Sequence, residues 1–330
     1  MTNKPEDTSL KIKTGIKQGL IKGWKGFIWL IKIIIPISFA TNLLVHFGII
    51  YKLDFLFAPV MQWMSLPASA ALVLIMGFFT GIYGTVAALS AMSFCTEHMI
   101  LIAVFTLISH NMIQESMVQG NSGINPFFAG FFRLFMSLIV TFICAQIMGV
   151  TPETGNQIIS PAGLAHETTS FVVMFKTWSM GTFKLIVQIF CIIMPIMVIM
   201  ELAKIFNIIQ FITKRISPFI KAMGLSPSTG MLWLTASVFG LVYGAAVIVE
   251  ETQSNDYKKQ DLKKLHLSIG INHAMIEDPA LFLPFGLPVL WLWIPRLLAA
   301  MAATWLYTLF LSIRSLYVKH LEHKKLCNNR

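Results

Sequence analysis

Six long apolar stretches constrain the fold of this chain more than any other feature. Each reaches about the 20 residues that a helix needs to cross about 30 Å of hydrocarbon. Over the whole chain 56% of the residues are hydrophobic and only 12% are charged, more apolar surface than a soluble core can hide. The sequence therefore predicts an all-α polytopic membrane protein, with spans at 27–50, 68–92, 127–149, 185–206, 229–249 and 289–312.

The net charge of +10 is concentrated at the chain ends and in short loops. Lysines precede the first apolar stretch, and basic residues follow the last one. By the positive-inside rule, this pattern predicts a multi-pass protein of a bacterial-type inner membrane with both termini in the cytoplasm. The expected partners are membrane lipids, with no nucleic acid, and homo-oligomer formation is left open. The first stretch is too long for a signal peptide and lacks a small-x-small cleavage site, so it reads as an uncleaved helix.

The sequence predicts no resident cofactor, no metal site and no enzyme. The four cysteines are far apart without a CxxC pair, and no Walker loop, dinucleotide fingerprint or HExxH motif occurs. The pairs Glu97-His98 and His166-Glu167 lack a third ligand at recognisable spacing. No nucleophile with a positioned base can be named. A coupling ion such as a proton or sodium remains open.

Residues of the less common types recur along the chain at a nearly constant offset, which rises from 159 to 163. Matches between apolar residues arise easily by chance in such a sequence, whereas prolines, histidines and arginines rarely recur in the same order by chance. The pattern predicts two homologous repeats, and the matched pairs are Pro36 with Pro195, Pro59 with Pro218, Tyr83 with Tyr243, Gly84 with Gly244, His110 with His273, and Arg133 with Arg296.

Each repeat reads as helix a with a central proline, an amphipathic segment, a glycine-bearing helix b, a short segment c and a helix d. Segment c, from Met99 to Ile113, would rise only about 22 Å as a helix, which is too short to span. A re-entrant or broken helix is expected at 99–116 and 265–280, because irregular backbone at membrane depth is tolerated beside polar cavities. The expected organisation is a basic amphipathic N-terminal segment (1–26), repeat 1 (27–150), a linker (151–184), repeat 2 (185–312) and a basic tail (313–330).

Three spans in each repeat imply that the two repeats lie inverted to one another in the membrane. The loop charges do not decide between this arrangement and parallel repeats of four spans. Inversion is favoured by Lys214, Arg215 and Lys221, which would lie inside. It is opposed by Lys258, Lys263 and Lys264, which would then lie outside.

The strongest candidate site is a doubled motif, His-x-Met-Ile followed by Gln or Glu and then Glu or Asp. It comprises His110, Asn111, Gln114 and Glu115 in the first repeat, and His273, Glu277 and Asp278 in the second. Residues four apart share a helix face, so His110 is expected to face the same way as Gln114, and His273 the same way as Glu277. Such a face could coordinate a cation, relay a proton or hydrogen-bond a polar solute, or it could simply cap a broken segment.

Arg133 and Arg296 each follow their histidine by 23 residues. An arginine within the membrane needs a counter-ion, and Glu115, Glu277 and Asp278 are the nearest acidic residues in the sequence. The arginines therefore predict either a structural salt bridge in each repeat or a cradle for a carboxylate or phosphate.

A third candidate is the glycine-tyrosine cluster, Tyr83-Gly84 and Tyr243-Gly244. Its glycines predict either a packing seam between helices or an unwound helix whose backbone contacts the solute, with tyrosine supplying a hydroxyl.

With its IIxPI start, prolines at 59 and 218, Tyr-Gly helix b and HxMI tips, the chain resembles the nucleoside-recognition or Gate-domain membrane proteins. That group includes spore-maturation-type inner-membrane proteins and is similar to the gate regions of concentrative nucleoside carriers and ferrous-iron transporters. The resemblance covers about 27–150 and 170–312, and implies two inverted Gate units around a central site. The acidic-proline signature of the nucleoside carriers and a cysteine in helix b are both missing, so the substrates of those relatives are not carried over.

The expected function is secondary transport of a small polar or ionic solute by alternating access between the two repeats. One alternative is a flippase for a phosphate-bearing lipid or lipid precursor, in which the arginines would bind the headgroup. Another is a non-transporting membrane scaffold, in which the polar pairs are internal salt bridges.

Overall fold

The computed structural model describes residues 5–49, 54–154, 170–254 and 257–328, and the regular structure within these ranges is helical. The first half contains α1 Pro5–His46, α2 Asp54–Trp63, α3 Ala70–Thr80, α4 Ile82–Ser90, α5 Thr96–Ser109, α6 Met112–Asn121 and α7 Pro126–Met148. The second half contains α8 Phe171–Ile205, α9 Ile208–Arg215, α10 Ser217–Ala222, α11 Gly230–Phe239, α12 Leu241–Ser254, α13 Lys259–Ile271, α14 Glu277–Ala280 and α15 Val289–Asn328.

Five helical stretches in the described residues are long and apolar enough to cross a membrane. They are Thr8–His46, Thr96–Asn121, Pro126–Met148, Phe171–Ile205 and Val289–Val318. On α7, for example, Phe127, Phe131 and Ile147 are each at least 70% exposed, an apolar surface of the kind that a span presents to lipid. The protein is an all-α polytopic membrane protein.

The two helices that carry the matched prolines, α1 and α8, pack tightly against each other and run antiparallel. A Cβ atom on Gly19 would lie 2.6 Å from the Cα atom of Val198, so the two backbones touch. Lys22 also donates a hydrogen bond of 2.6 Å to the Glu201 carboxylate across this contact. The contacts run in opposite order along the two helices: Gly15 with Leu202, Gly19 with Val198, Gly23 with Met194, and Phe27 with Phe190.

The expectation of continuous spans at 68–92 and 229–249 is wrong, because each stretch folds back on itself as a helical hairpin. α3 ends at Gly81, whose φ of 80° and ψ of −171° stop the helix, and α12 follows α11 after Gly240 in the same way, with φ of 85°. A Cβ atom on Gly244 would lie 2.7 Å from the Cα atom of Ala236, eight residues earlier. Eight residues of straight helix would separate those positions by about 12 Å, so the two arms are folded together.

The segment 99–116 was expected to be too short to span the membrane, but it belongs to two consecutive helices, α5 and α6, that together extend across the protein. Pro126 at the start of α7 packs on Gly120 near the end of α6. At the other end, the His98 ring near the start of α5 bonds the Thr151 carbonyl just beyond α7, at 3.0 Å. The α5–α6 pair therefore runs along the full length of α7. The prediction of a broken helix is right, whereas the helix is not too short to cross.

Several expected boundaries differ from those of the helices. α8 begins at Phe171, so the second part of the expected linker is helical, while 155–169 lie outside the described residues together with His166 and Glu167. α1 continues without a break from the basic N-terminal segment into the first span, and α15 continues into the basic tail. Long amphipathic ends extend these helices because no helix-stopping residue separates them from the apolar stretches.

Candidate functional site

Two helix breaks, one in each half, supply the histidines of the candidate site. α5 ends at Ser109, Asn111 adopts a left-handed backbone with φ of 48°, and α6 begins at Met112. In the second half α13 ends at Ile271, and Ala274 has φ of 45° before α14 begins. Non-glycine residues rarely hold such φ values unless surrounding contacts impose them, and strain of this kind is common at functional sites.

The hairpin tips hold these breaks in place through backbone hydrogen bonds. The Gly77 carbonyl accepts from the backbone N–H groups of both Gly81, at 3.0 Å, and Asn111, at 2.9 Å. In the second half the Ala236 carbonyl accepts from Gly240, at 3.0 Å, and from Ala274, at 3.2 Å. Each hairpin is thereby fastened to the helix break of its own half.

The two histidines lie next to each other in the interior. The His110 and His273 ring centroids are 5.2 Å apart, and the residues are 5% and 1% exposed. The His110 Nε2 atom lies 3.2 Å from Glu115 Oε1 and 3.4 Å from Asp278 Oδ2, and His273 Nε2 lies 3.4 Å from Glu115 Oε2. Residues more than 150 positions apart in the sequence thus form one buried polar cluster, which we call the central cluster: His110, Glu115, His273 and Asp278.

Backbone carbonyls fix the orientation of both imidazole rings. The Nδ1 atom of His110 lies 2.9 Å from the Thr106 carbonyl oxygen, and that of His273 lies 2.8 Å from the Ile269 carbonyl oxygen. A carbonyl only accepts, so each Nδ1 carries a hydrogen and donates it. The Nε2 atom of each ring is therefore the atom that faces the central cluster.

The two arginines are fully buried and make the same backbone contacts. Arg133 donates from Nε to the Ile108 carbonyl and from Nη2 to the His110 carbonyl, both at 3.0 Å. Arg296 donates from the same atoms to the carbonyls of Ile271, at 3.2 Å, and His273, at 2.5 Å. Both guanidinium groups thus satisfy the carbonyls that the helix breaks leave without partners. This arrangement leaves only Nη1 of each arginine without a hydrogen-bond partner.

The expected salt bridge in each repeat is found only in the first. Arg133 Nη2 lies 2.5 Å from Glu115 Oε2, whereas no described carboxylate lies within 4.0 Å of Arg296. Asp278 occupies the position that matches Glu115, but its side chain is one methylene shorter and its Oδ2 atom lies near His110 of the other half.

Tyr83 bonds a residue of the second half of the molecule, whereas its counterpart Tyr243 contacts Lys204 within its own half. The Tyr83 hydroxyl donates to Glu277 Oε1 at 3.1 Å. Tyr243 is 43% exposed, and its ring lies under the Lys204 ammonium, 4.1 Å from the ring centroid. Glu277 is thereby held at the edge of the central cluster by a tyrosine from the opposite half.

Other expected site residues lie outside the central cluster. Gln114 is exposed and accepts a hydrogen bond of 3.1 Å from the half-buried Asn111, so it does not share a face with His110. The expectation fails because the break at Asn111 resets the helical phase, which brings Glu115 rather than Gln114 back to the histidine. Gly84 and Gly244 lie where the hairpin arms touch, Gly84 against Thr80 and Gly244 against Ala236, which favours the packing interpretation.

Three ligand atoms of the central cluster lie close enough together to hold one metal ion. The side chains of His110, Glu115 and His273 each offer an atom within 4.8 Å of the others, and all three are buried. The sequence predicted no metal site, since these ligands come from two distant segments without a recognisable spacing. The carbonyls of Ile108, Ile271, Thr106 and Ile269, which orient the site, also carry no signal in the sequence.

Comparison with known proteins gives two matches. Residues 27–153 match the Gate family model, described as nucleoside recognition. The chain is also 25% identical over 286 residues to the uncharacterized membrane protein YvoD of Bacillus subtilis strain 168, covering 87% of this chain and 91% of that protein. No solved structure gives a significant match. The predicted resemblance is confirmed over residues 27–153, which match the Gate family model, and the chain, like its Bacillus relative, is a membrane protein.

Proposed function

We propose that this protein is a secondary transporter of a small polar or ionic solute and that the central cluster lies on the solute path. The observation that carries the proposal is the meeting of His110 and His273 at two helix breaks, 5.2 Å apart between ring centroids. Titratable groups at membrane depth are costly, and they are placed there mainly on solute or proton pathways. Broken helices at a repeat interface are the usual form of such sites in transporters.

Alternating access between inverted repeats belongs to the same proposal. It is supported by the antiparallel packing of α1 and α8, which carry the matched prolines Pro36 and Pro195. If each half has three elements that cross the membrane and one hairpin that does not, the odd number of crossings gives the two halves opposite orientations. Six crossings would then leave both termini on one side, which the basic residues suggest is the cytoplasm. The similarity to a Bacillus membrane protein supports a bacterial inner membrane.

The described geometry favours neither alternative. Both arginines are 0% exposed, and a phosphate headgroup could bond only their Nη1 atoms without displacing backbone carbonyls or Glu115, which argues against a flippase that uses these residues. A scaffold held by internal salt bridges would need only the pair of Arg133 with Glu115, and it would not explain why two histidines and Asp278 also meet there in the interior.

The proposal is tested with purified protein in sealed proteoliposomes. The panel of probes is protons followed by a pH-sensitive dye, Mn²⁺ followed by an entrapped fluorescent chelator, and radiolabelled uridine and succinate. We expect the wild type to move at least one probe and the His110→Ala/His273→Ala double variant to move none. The matched control is His98→Ala, because this buried histidine bonds the Thr151 carbonyl away from the cluster.

Flux that survives in the double variant would remove the central cluster from the solute path. Wild-type liposomes that move none of the four probes would overturn transport for those solute classes. Loss of flux in His98→Ala as well would assign the effect to disturbed folding, so all variants are first matched for monodispersity and unfolding temperature in detergent.

A further inference from the structure

We infer that the central cluster is a binding site for a divalent first-row transition-metal ion, held by the Nε2 atoms of His110 and His273 and by the carboxylate of Glu115. This inference rests on the proposed function and names the solute class: the metal ion is the cargo of the carrier.

The orientation of the rings is the first step of the argument. Both Nδ1 hydrogens are committed to backbone carbonyls, so a neutral imidazole presents a lone pair at Nε2. This arrangement, with one nitrogen hydrogen-bonded to a carbonyl and the other free to ligate, is the usual setting of a metal-binding histidine. Here it occurs twice, on rings that face the same space.

Carboxylate oxygens face these nitrogens, and this requires a cation between them. His110 Nε2 lies near oxygens of both Glu115 and Asp278, and His273 Nε2 lies near Glu115. Lone pairs on nitrogen and oxygen repel each other unless a proton or a metal ion lies between them. The cluster is buried, so water cannot screen this repulsion.

The distances leave room for a metal ion between the ligand atoms. Charge-assisted hydrogen bonds between a protonated imidazole and a carboxylate are about 2.7–2.9 Å long. The three nitrogen–oxygen separations here are 3.2, 3.4 and 3.4 Å. Ligand atoms at about 2.0–2.2 Å from a tetrahedral ion lie about 3.3–3.6 Å apart. The separations of Glu115 from His110 and from His273 are close to that range.

The donor set selects the class of ion. Two imidazole nitrogens with carboxylate oxygens suit Zn²⁺, Fe²⁺, Mn²⁺ or Co²⁺, whereas Mg²⁺, Ca²⁺ and Na⁺ prefer oxygen ligands alone. No described cysteine belongs to the cluster, so a soft ion such as Cu⁺ is disfavoured.

The asymmetry between the arginines fits the same assignment. Arg133 neutralises one oxygen of Glu115, leaving Oε1 directed at His110. Asp278 is kept off Arg296 and lies beside His110 with its Oδ2 atom making no hydrogen bond to a described residue. Asp278 thus adds negative charge beside the three ligands, and Arg296 donates its hydrogen bonds to the backbone of the helix break.

The test measures binding in detergent and does not depend on transport. Chelator-stripped full-length protein is titrated with Zn²⁺, Mn²⁺ and Co²⁺, and bound metal is counted by mass spectrometry after gel filtration. The visible absorption of bound Co²⁺ reports its ligand geometry. We expect one ion per chain in the wild type and in the His98→Ala control. In His110→Gln and in His273→Gln the affinity should fall by at least about 100-fold, because losing a ligand costs more than losing one of its hydrogen-bond partners, which alone costs about 10–100-fold.

Wild-type protein that binds none of the three ions saturably, or cluster variants that bind as tightly as the control, would overturn the metal assignment. Flux of another probe without metal binding would overturn this inference and leave transport standing. Metal binding without any flux would keep the site and overturn its role as a cargo site. Glutamine retains a hydrogen-bonding group, and unfolding temperatures equal to that of the wild type exclude a folding defect.

Discussion

The two helix breaks share the same backbone construction and differ in their electrostatics. In both, an arginine 23 residues further on donates to the carbonyls of the break, and a hairpin carbonyl accepts from the residue with positive φ. Among the described residues, the arginine of the first half also pairs with a carboxylate, Glu115, and that of the second half does not, while Asp278 faces the opposite histidine. The comparison teaches that the backbone framework is common to both halves, while the side-chain contacts of the site are not.

The largest expected difference between the halves is in the free energy of unfolding that each buried arginine contributes. Arg133→Met should lower the free energy of unfolding by about 3–5 kcal/mol, because Glu115 is left as a buried carboxylate without its counter-charge. Arg296→Met should cost about 1–3 kcal/mol, since only hydrogen bonds to two carbonyls are lost. Denaturant titration in detergent measures both losses. Equal losses of unfolding free energy would mean that Asp278 neutralises Arg296 as Glu115 neutralises Arg133.

The glycines at the two hairpin tips should contribute equally to stability, because the backbone construction is common to both halves. Gly81→Ala and Gly240→Ala should each lower the free energy of unfolding by about 1–3 kcal/mol, because φ near 80° with ψ near 180° is open essentially to glycine alone. Gly26→Ala is the matched control, because it has no atom within 4 Å of an added Cβ and lies inside α1. Alanine there should raise the free energy of unfolding by about 0.5–1 kcal/mol. One hairpin that tolerates alanine would contradict a common framework.

The smallest expected difference is between the two matched tyrosines. Tyr83→Phe should lower the free energy of unfolding by about 1 kcal/mol, because Glu277 loses a hydrogen bond from the opposite half. Tyr243→Phe should change it by less than about 0.5 kcal/mol, since phenylalanine keeps the contact with the Lys204 ammonium. Unfolding temperatures of the two variants, measured side by side, give the comparison. A larger effect at Tyr243 would contradict the asymmetry.

Part of the candidate site could be predicted from the sequence because rare residues recur in a fixed order. The repeated histidines and arginines were predicted as candidate site residues, and the short segment that ends in polar residues at His110 predicted a broken helix. The direction in which the side chains after the break face could not be predicted, because the left-handed backbone of Asn111 rotates the following helix about its axis. The sequence therefore suggested Gln114 as the neighbour of His110, and the structure brings Glu115 there instead.

The amino-acid sequence by itself determined that this protein lies in lipid, where helices form, and which rare residues are doubled. Apolar length and the need to satisfy every backbone group within the bilayer are enough for that. Only the tertiary structure decided that the two apolar stretches with glycine breaks fold back as hairpins, and that Asp278 meets His110 rather than Arg296. Those outcomes depend on side-chain reach and on packing between segments more than 150 residues apart, which no local pattern encodes.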